Sequence, residues 1–310
     1  MTSNNTLWPN LTLGLWNDTA DTLHMWTQIV GHTRMALSAP QNHWWHVTLY
    51  VTSRGLGTSP IPWQGEYFDV EFDFVDHRLI IRLSSGPVKV LPLRPQSVAA
   101  FYREYMDALA SLGIHVKIHS SPDEVRNPIP FAEDTVHDSY DPEGAHRFWR
   151  ILMQADMVFR RFQSNWLGKA SPVQFFWGSF DLAVTRFSGR PAPPRPGTDV
   201  ITSEAYSHQV ISFGFWPGNG GYGQPAFYSY AAPEPEGFST AAIKPPAAYY
   251  SRDMNELLLN YNDVRSAADP AQTVLDFMES AFRAGSTHWD CDLLERHGPF
   301  PARAPATGNV

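Results

Sequence analysis

Polar and apolar residues change rhythm several times along this chain, and each change marks an element. Between residues 18 and 37, Leu23, Trp26, Val30 and Leu37 lie along one apolar side at helical spacing, and Asp18 precedes them as a candidate N-cap. The run HVTLYVTS, residues 46–53, then alternates with the period of two expected of a strand. EYFDVEFDFV and RLIIRLSS follow, separated by Asp76 and His77, and predict an antiparallel hairpin. On one face of it Asp69, Glu71 and Asp73 would meet Arg78 and Arg82 across the strands. PQSVAAFYREYMDALASLG predicts a helix closed by Gly113, and IHVKIH a further strand.

A Pro- and Asp-rich connector, residues 121–144, leads into a second helical pattern, AHRFWRILMQADMVFRRFQ. SPVQFFWGSFDLAVTRFSG reads as an aromatic strand, SHQVISFGFW and PAFYSYA as two more, and MNELLLNYNDV and AQTVLDFMESAFRAG as helices. PFPARAPATGNV, within residues 298–310, has no core-forming pattern and reads as a loose tail. The stretches at about 15–120 and 143–287 share an order: helix, aromatic strand, two more strands, helix. VTSRGLGTSPIP and VTRFSGRPAPPRP both open from Val-Thr into a Gly/Pro loop, and Gln28 corresponds to Gln154. The order predicts one domain over residues 1–297, built by internal duplication. Its fold class is α+β, with two pseudo-equivalent halves forming one antiparallel sheet or a partly closed barrel and helices outside.

Composition narrows the function. The net charge of −8 is spread along the chain, and no basic stripe exists to neutralise phosphates, which argues against nucleic acid. No apolar run reaches membrane-spanning length, and the first residues show no secretory pattern, so a cytoplasmic protein is expected. The single cysteine, Cys291, excludes an internal disulfide and a thiolate-rich metal site. Charged residues are only 17% of the chain while aromatics reach 14%, a balance that suits an aromatic-lined pocket for a small molecule.

Strand parity proposes where that pocket lies. His46, Thr48 and Tyr50 would share one face, and Trp177, Ser179, Asp181 and Thr185 would share the matching face in the second half. The stretch NHWWH adds His43 and Trp45 at the loop before the strand. Two histidines and a carboxylate form a ligand set for iron, and imidazole also suits copper and zinc. The candidate ligands are His43, His46, His208 and Glu204, the last two four apart in SEAYSHQV, with Asp181 as an alternative. Asp181 and His46 are the candidate catalytic residues, and Tyr50, Trp177, Arg186 and Trp45 the candidate substrate contacts. FWPGNGGYG lacks the strand-turn-helix setting and the lysine of a phosphate loop, so no nucleotide cofactor is expected. The expectation is a metal-assisted enzyme on a small molecule, oxygenase-like or hydrolytic. The alternative is a non-catalytic binding protein using the same pocket.

SPVQFFWGSFDLAVTRFSGRPAPPRPG, NHWWHVTLYVTSRGL and FDFVDHRLIIR together resemble a bacterial family catalogued as a domain of unknown function. The resemblance spans roughly residues 7–289 and implies neither an activity nor site residues.

Overall fold

The structure is a computed structural model that describes residues 7–219 and 221–295, so the expected tail at 298–310 lies outside the described residues. Helix α1 (Leu13–Leu37) opens the chain. It starts ahead of Asp18, which sits inside the helix as an acceptor for Thr22 Oγ1 at 2.8 Å rather than as its cap. From Thr22 to Arg34 every α1 residue is buried. A helix covered all round must satisfy its own polar groups. Thr27 and Thr33 bond back to α1 carbonyls, and Tyr105 Oη donates to Thr33 Oγ1 at 3.0 Å.

Strands β1 (Tyr50–Val51), β2 (Gly55–Gly57), β3 (Ile61–Trp63), β4 (Glu66–Asp73), β5 (Arg78–Leu83) and β6 (Val88–Pro92) form the first sheet. Its order is β1-β2-β4-β5-β6, antiparallel throughout, with β3 also on β4. Phe68, Val70 and Phe72 of β4 face the core, as the alternation predicts. Each such burial contributes roughly 1.5–3 kcal/mol. On the opposite face Arg82 pairs with Asp69 at 2.7 Å and with Glu71, and Asp73 is held by Arg54 and Arg78. Helix α2 (Val98–Ser111) follows, capped by Ser97, whose side chain accepts from the Ala100 N–H at 3.2 Å.

The second half starts with α3 (Pro142–Ser164), capped by Asp141. Then come β7 (Gln174–Phe176), β8 (Asp181–Pro191), α4 (Val200–Ala205), β9 (His208–Trp216), β10 (Ala226–Ala232), β11 (Tyr249–Ser251) and β12 (Glu256–Asn260). Helices α5 (Tyr261–Arg265), α6 (Pro270–Gly285) and α7 (Cys291–Leu294) finish the described chain. The second sheet has the order β11-β12-β10-β9-β8-β7. It meets the first at one bridge, where Leu49 and Phe175 exchange both backbone hydrogen bonds at 2.8 and 2.9 Å. A contiguous core runs through both halves, from Trp8 to Phe282.

The architecture is therefore mixed helix and antiparallel sheet, but in two sheets rather than one sheet or a barrel. Four local expectations change. The aromatic strand of the second half is a hairpin, β7 and β8, with a turn over 177–180 in which Phe180 takes φ 60°. The strand expected at 46–52 forms a ladder only over Tyr50–Val51, at the edge of its sheet, with Leu49 bridged singly to Phe175, whereas β8 is eleven residues long inside the other. The two are not equivalent in length or position. IHVKIH buries Ile114 and Ile118 but forms no ladder. MNELLLNYNDV is β12 followed by the short α5, because Leu257, Leu258 and Leu259 are buried on both faces of a strand.

Candidate functional site

Two faces of β8 do different work. Leu182 and Val184 enter the core, and Arg186 follows them beneath the helices. Asp181 and Thr185 take the other face, which carries the neighbouring side chains of β9, β10 and β12. There a basin of about 270 Å³ is lined by Ser179, Asp181, Tyr206, Trp216, Tyr228, Tyr230, Met254 and Glu256.

The basin is built across strands. Tyr228 on β10 stands opposite Gly214 on β9, and Gly214 stands opposite Ala183 on β8. A Cβ at Gly214 would lie 2.2 Å from the Tyr228 ring, so only glycine lets the tyrosine lie across β9. Its hydroxyl thereby reaches Asp181 and donates to Oδ2. Tyr230 stacks beside Tyr228 with centroids 6.1 Å apart, and its hydroxyl meets that of Tyr206 at 2.8 Å. Tyr206 follows α4, and Arg195 covers its ring at 4.0 Å. Trp216 sets its ring edge-on to Tyr228.

Electrostatics single out the two carboxyl groups. Burial pushes Asp181 up to about 7, and the nearby charges of Glu124 and Glu256 add to the rise while the Tyr228 hydroxyl opposes it. Burial alone pushes Glu256 up to about 7. Among the described residues neither group has an ion-pair partner. Burial and the Asp181 charge also hold the Tyr228 phenol well above its ordinary value. The basin thus gathers two groups able to give or take a proton near neutrality, among aromatic rings.

Most other expected residues lie elsewhere. His43 is buried against Phe187, Trp45 and His208, with centroids 4.6, 5.2 and 5.7 Å away. Its Nδ1 faces the carbonyls of Glu204 and Ala205 at 3.1 and 3.2 Å, so that nitrogen donates. Nε2 is left as the acceptor for Lys169 Nζ at 2.6 Å. A lysine ammonium thus occupies the lone pair a metal would need. Burial lowers the pKa of His43, and the Lys169 charge lowers it further. The neighbourhood of His43, Glu204 and His208 is real, but Glu204 contributes its carbonyl and its side chain is exposed.

His46 points apart from this group. Its Nδ1 accepts from the Gln41 N–H at 3.2 Å, its ring lies against Trp44, and burial lowers its pKa. Arg34 gathers the carbonyls of His46, Thr48 and Thr58 and lies 5.2 Å from the Tyr50 ring, so this loop is a buried joint. Tyr50 accepts from Gln174 Nε2 at 3.2 Å, away from the basin. Trp177 leaves the face of Asp181 at the 177–180 turn and donates from Nε1 to the Val47 carbonyl at 2.7 Å. Arg186 sits over Phe162 at 3.5 Å on the helix side of β8, where burial lowers its pKa to about 10. It is not a contact of the Asp181 basin.

Of the expected catalytic, substrate-contact and ligand residues, Asp181 alone lines the basin, joined there by Ser179 of the expected pocket face. Glu256, Tyr206, Tyr228, Tyr230 and Trp216 escaped the sequence reading. Glu256 is hidden because the helical pattern expected over MNELLLNYNDV includes it; the length of ELLLN and its flanking polar residues are the available strand signal.

Residues 8–296 match a family described as a family of unknown function (DUF5996). No curated protein and no solved structure matches the chain.

Proposed function

Because the chain belongs to this family of unknown function, whose description assigns no chemistry, we propose a function from the basin itself. The protein is a small-molecule enzyme that uses Asp181 and Glu256 for general acid–base catalysis. One observation carries this reading: two carboxyl groups, both raised to about 7 and without an ion-pair partner among the described residues, line one aromatic basin. Near neutrality such a pair supplies an ionised base and a protonated acid together. The rings of Tyr230 and Trp216 offer π faces, and the carboxyl groups offer acceptors. The substrate class this favours is a small amine or a hydroxyl-rich metabolite. The basin volume of about 270 Å³ suits an occupant of that size.

A second reading, a binding protein without turnover, draws support from the Tyr228 hydroxyl bound to Asp181 Oδ2, which fixes that carboxyl as an acceptor. A thermal-shift screen of small amines, quaternary ammonium compounds and sugars on the full chain tests both. A binder present at a hundred times its Kd should add about 2.7 kcal/mol of stability, and Glu256→Gln should lose the effect. Turnover of that binder distinguishes the enzyme from the binding protein. A screen with no stabiliser, or one acting equally on Glu256→Gln, contradicts the basin as the site.

A further inference from the structure

A different cluster lies behind the 177–180 turn. His32 on α1 is fully buried, and His119 and Asp123 come from the irregular segment after α2. One nitrogen of each histidine and one carboxylate oxygen of Asp123 lie within 4.8 Å of one another, the one such group of three among the described residues. The set is two histidines and a carboxylate, the composition expected from the sequence but on other residues.

Hydrogen bonding fixes how these side chains present themselves. His32 Nδ1 lies 3.1 Å from the His119 carbonyl, which can only accept, so Nδ1 carries hydrogen. The lone pair of a neutral His32 is then at Nε2, and Nε2 lies 2.9 Å from Asp123 Oδ2. Two acceptors at that distance call for a cation or a second proton between them. A metal at about 2.1 Å from both atoms would see them at about 90°, the cis angle of an octahedral site. His119 Nδ1 donates to the Ser121 carbonyl at 2.9 Å, which leaves the His119 lone pair at Nε2.

The surroundings hold the ligands in place. Gln28 clamps the Asp123 backbone from both sides, accepting from its N–H at 2.7 Å and donating to its carbonyl at 2.9 Å. The His119 carbonyl orients His32 as outer-shell carbonyls orient metal-bound imidazoles. Trp177 packs edge-on to His32 with centroids 4.8 Å apart. It reaches that position because Gly31 has no Cβ, which would lie 2.3 Å from the indole. Asp123 and Trp177 also line a cavity of about 210 Å³ with Trp44, Met35 and Val47. Three protein ligands leave coordination positions free, and the cavity gives water or a small ligand room on the Asp123 side.

We propose that His32, His119 and Asp123 form a binding site for a divalent first-row transition metal ion. The site is separate from the Asp181 basin and stands or falls without it.

The test uses untagged full-length protein titrated with Zn²⁺ by calorimetry and with Co²⁺ by visible spectroscopy. Wild type should bind one equivalent. His119→Ala and Asp123→Asn, at residues outside the core, should each weaken binding about tenfold or more. Their thermal melts should stay close to wild type, which keeps the comparison valid even if a His32 variant fails to fold. His208→Ala, at the ligand position expected from sequence, should bind as wild type does. Absence of stoichiometric binding to wild type overturns the site. So does wild-type affinity in either His119→Ala or Asp123→Asn.

Discussion

The two sheets each bury one face against helices and leave the other free, yet the free faces are chemically opposite. On the first, Asp69, Glu71 and Asp73 alternate along β4, and each of the three meets an arginine. Asp69 faces Arg82 in register, and Asp73 is held at 2.8 Å by Arg54 and 3.3 Å by Arg78. Burial of Asp73 would raise its pKa, but the Arg54 bond and the turn N–H groups outweigh it and hold the carboxyl below its ordinary value. On the second sheet, Asp181 and Glu256 face tyrosines and a tryptophan, and burial carries both to about 7. The same residue type is a compensated structural charge on one sheet and a carboxyl raised to about 7 on the other. The partner, and not the carboxyl itself, makes the difference.

The largest effect expected at a single pH is on the compensated face. Asp73→Asn keeps an acceptor for the Val75 and Asp76 N–H groups but leaves Arg54 and Arg78 without their shared buried charge. Because both arginines are half-exposed, the loss should fall below that of a fully buried pair, at about 2 kcal/mol by urea unfolding at pH 7. The folded pKa of Asp73 is depressed, so its stabilisation is present above the unfolded value of 3.8 and fades as pH falls through the folded one. Wild type and variant should therefore converge in acid. Equal stability at pH 7 would break the contrast from the first sheet's side.

Gly214→Ala tests the second face. The added methyl collides with the Tyr228 ring and should push its hydroxyl off Asp181 at a cost of about 1–2 kcal/mol. Any ligand of the basin should then bind more weakly, while the Zn²⁺ titration stays unchanged. A variant of wild-type stability that keeps full ligand affinity would show that the Tyr228–Asp181 contact does not shape the basin.

Sequence pattern reached these features unevenly, for physical reasons. The hairpin of β4 and β5 was legible down to its ion pairs, since one face is apolar and the other charged and the short turn sets the register. Asp181 was legible through strand parity alone. Glu256 and the tyrosines were not, because they join Asp181 only through the β8–β9–β10–β12 order, which no local pattern encodes. NHWWH misled by proximity: His43 and His46 are close in sequence, yet one turns toward Lys169 and the other toward Gln41. His32 and Asp123, far apart in sequence, are the pair the fold brings to 2.9 Å.

The central claim, that Asp181 is held uncharged by its surroundings until near neutrality, is tested most directly by the stability of wild type and Asp181→Asn from pH 5 to 8. Asparagine preserves an acceptor for Tyr228 and cannot ionise. Asp181 has a folded pKa of about 7 against 3.8 unfolded, so its contribution is full below the unfolded value and is lost as pH rises through the folded one. Wild type should lose stability relative to the variant by up to about 1.4 kcal/mol per pH unit as pH rises toward 7, and the difference should level off above it. Parallel curves across the range would mean that Asp181 ionises as an ordinary aspartate, and would contradict the account.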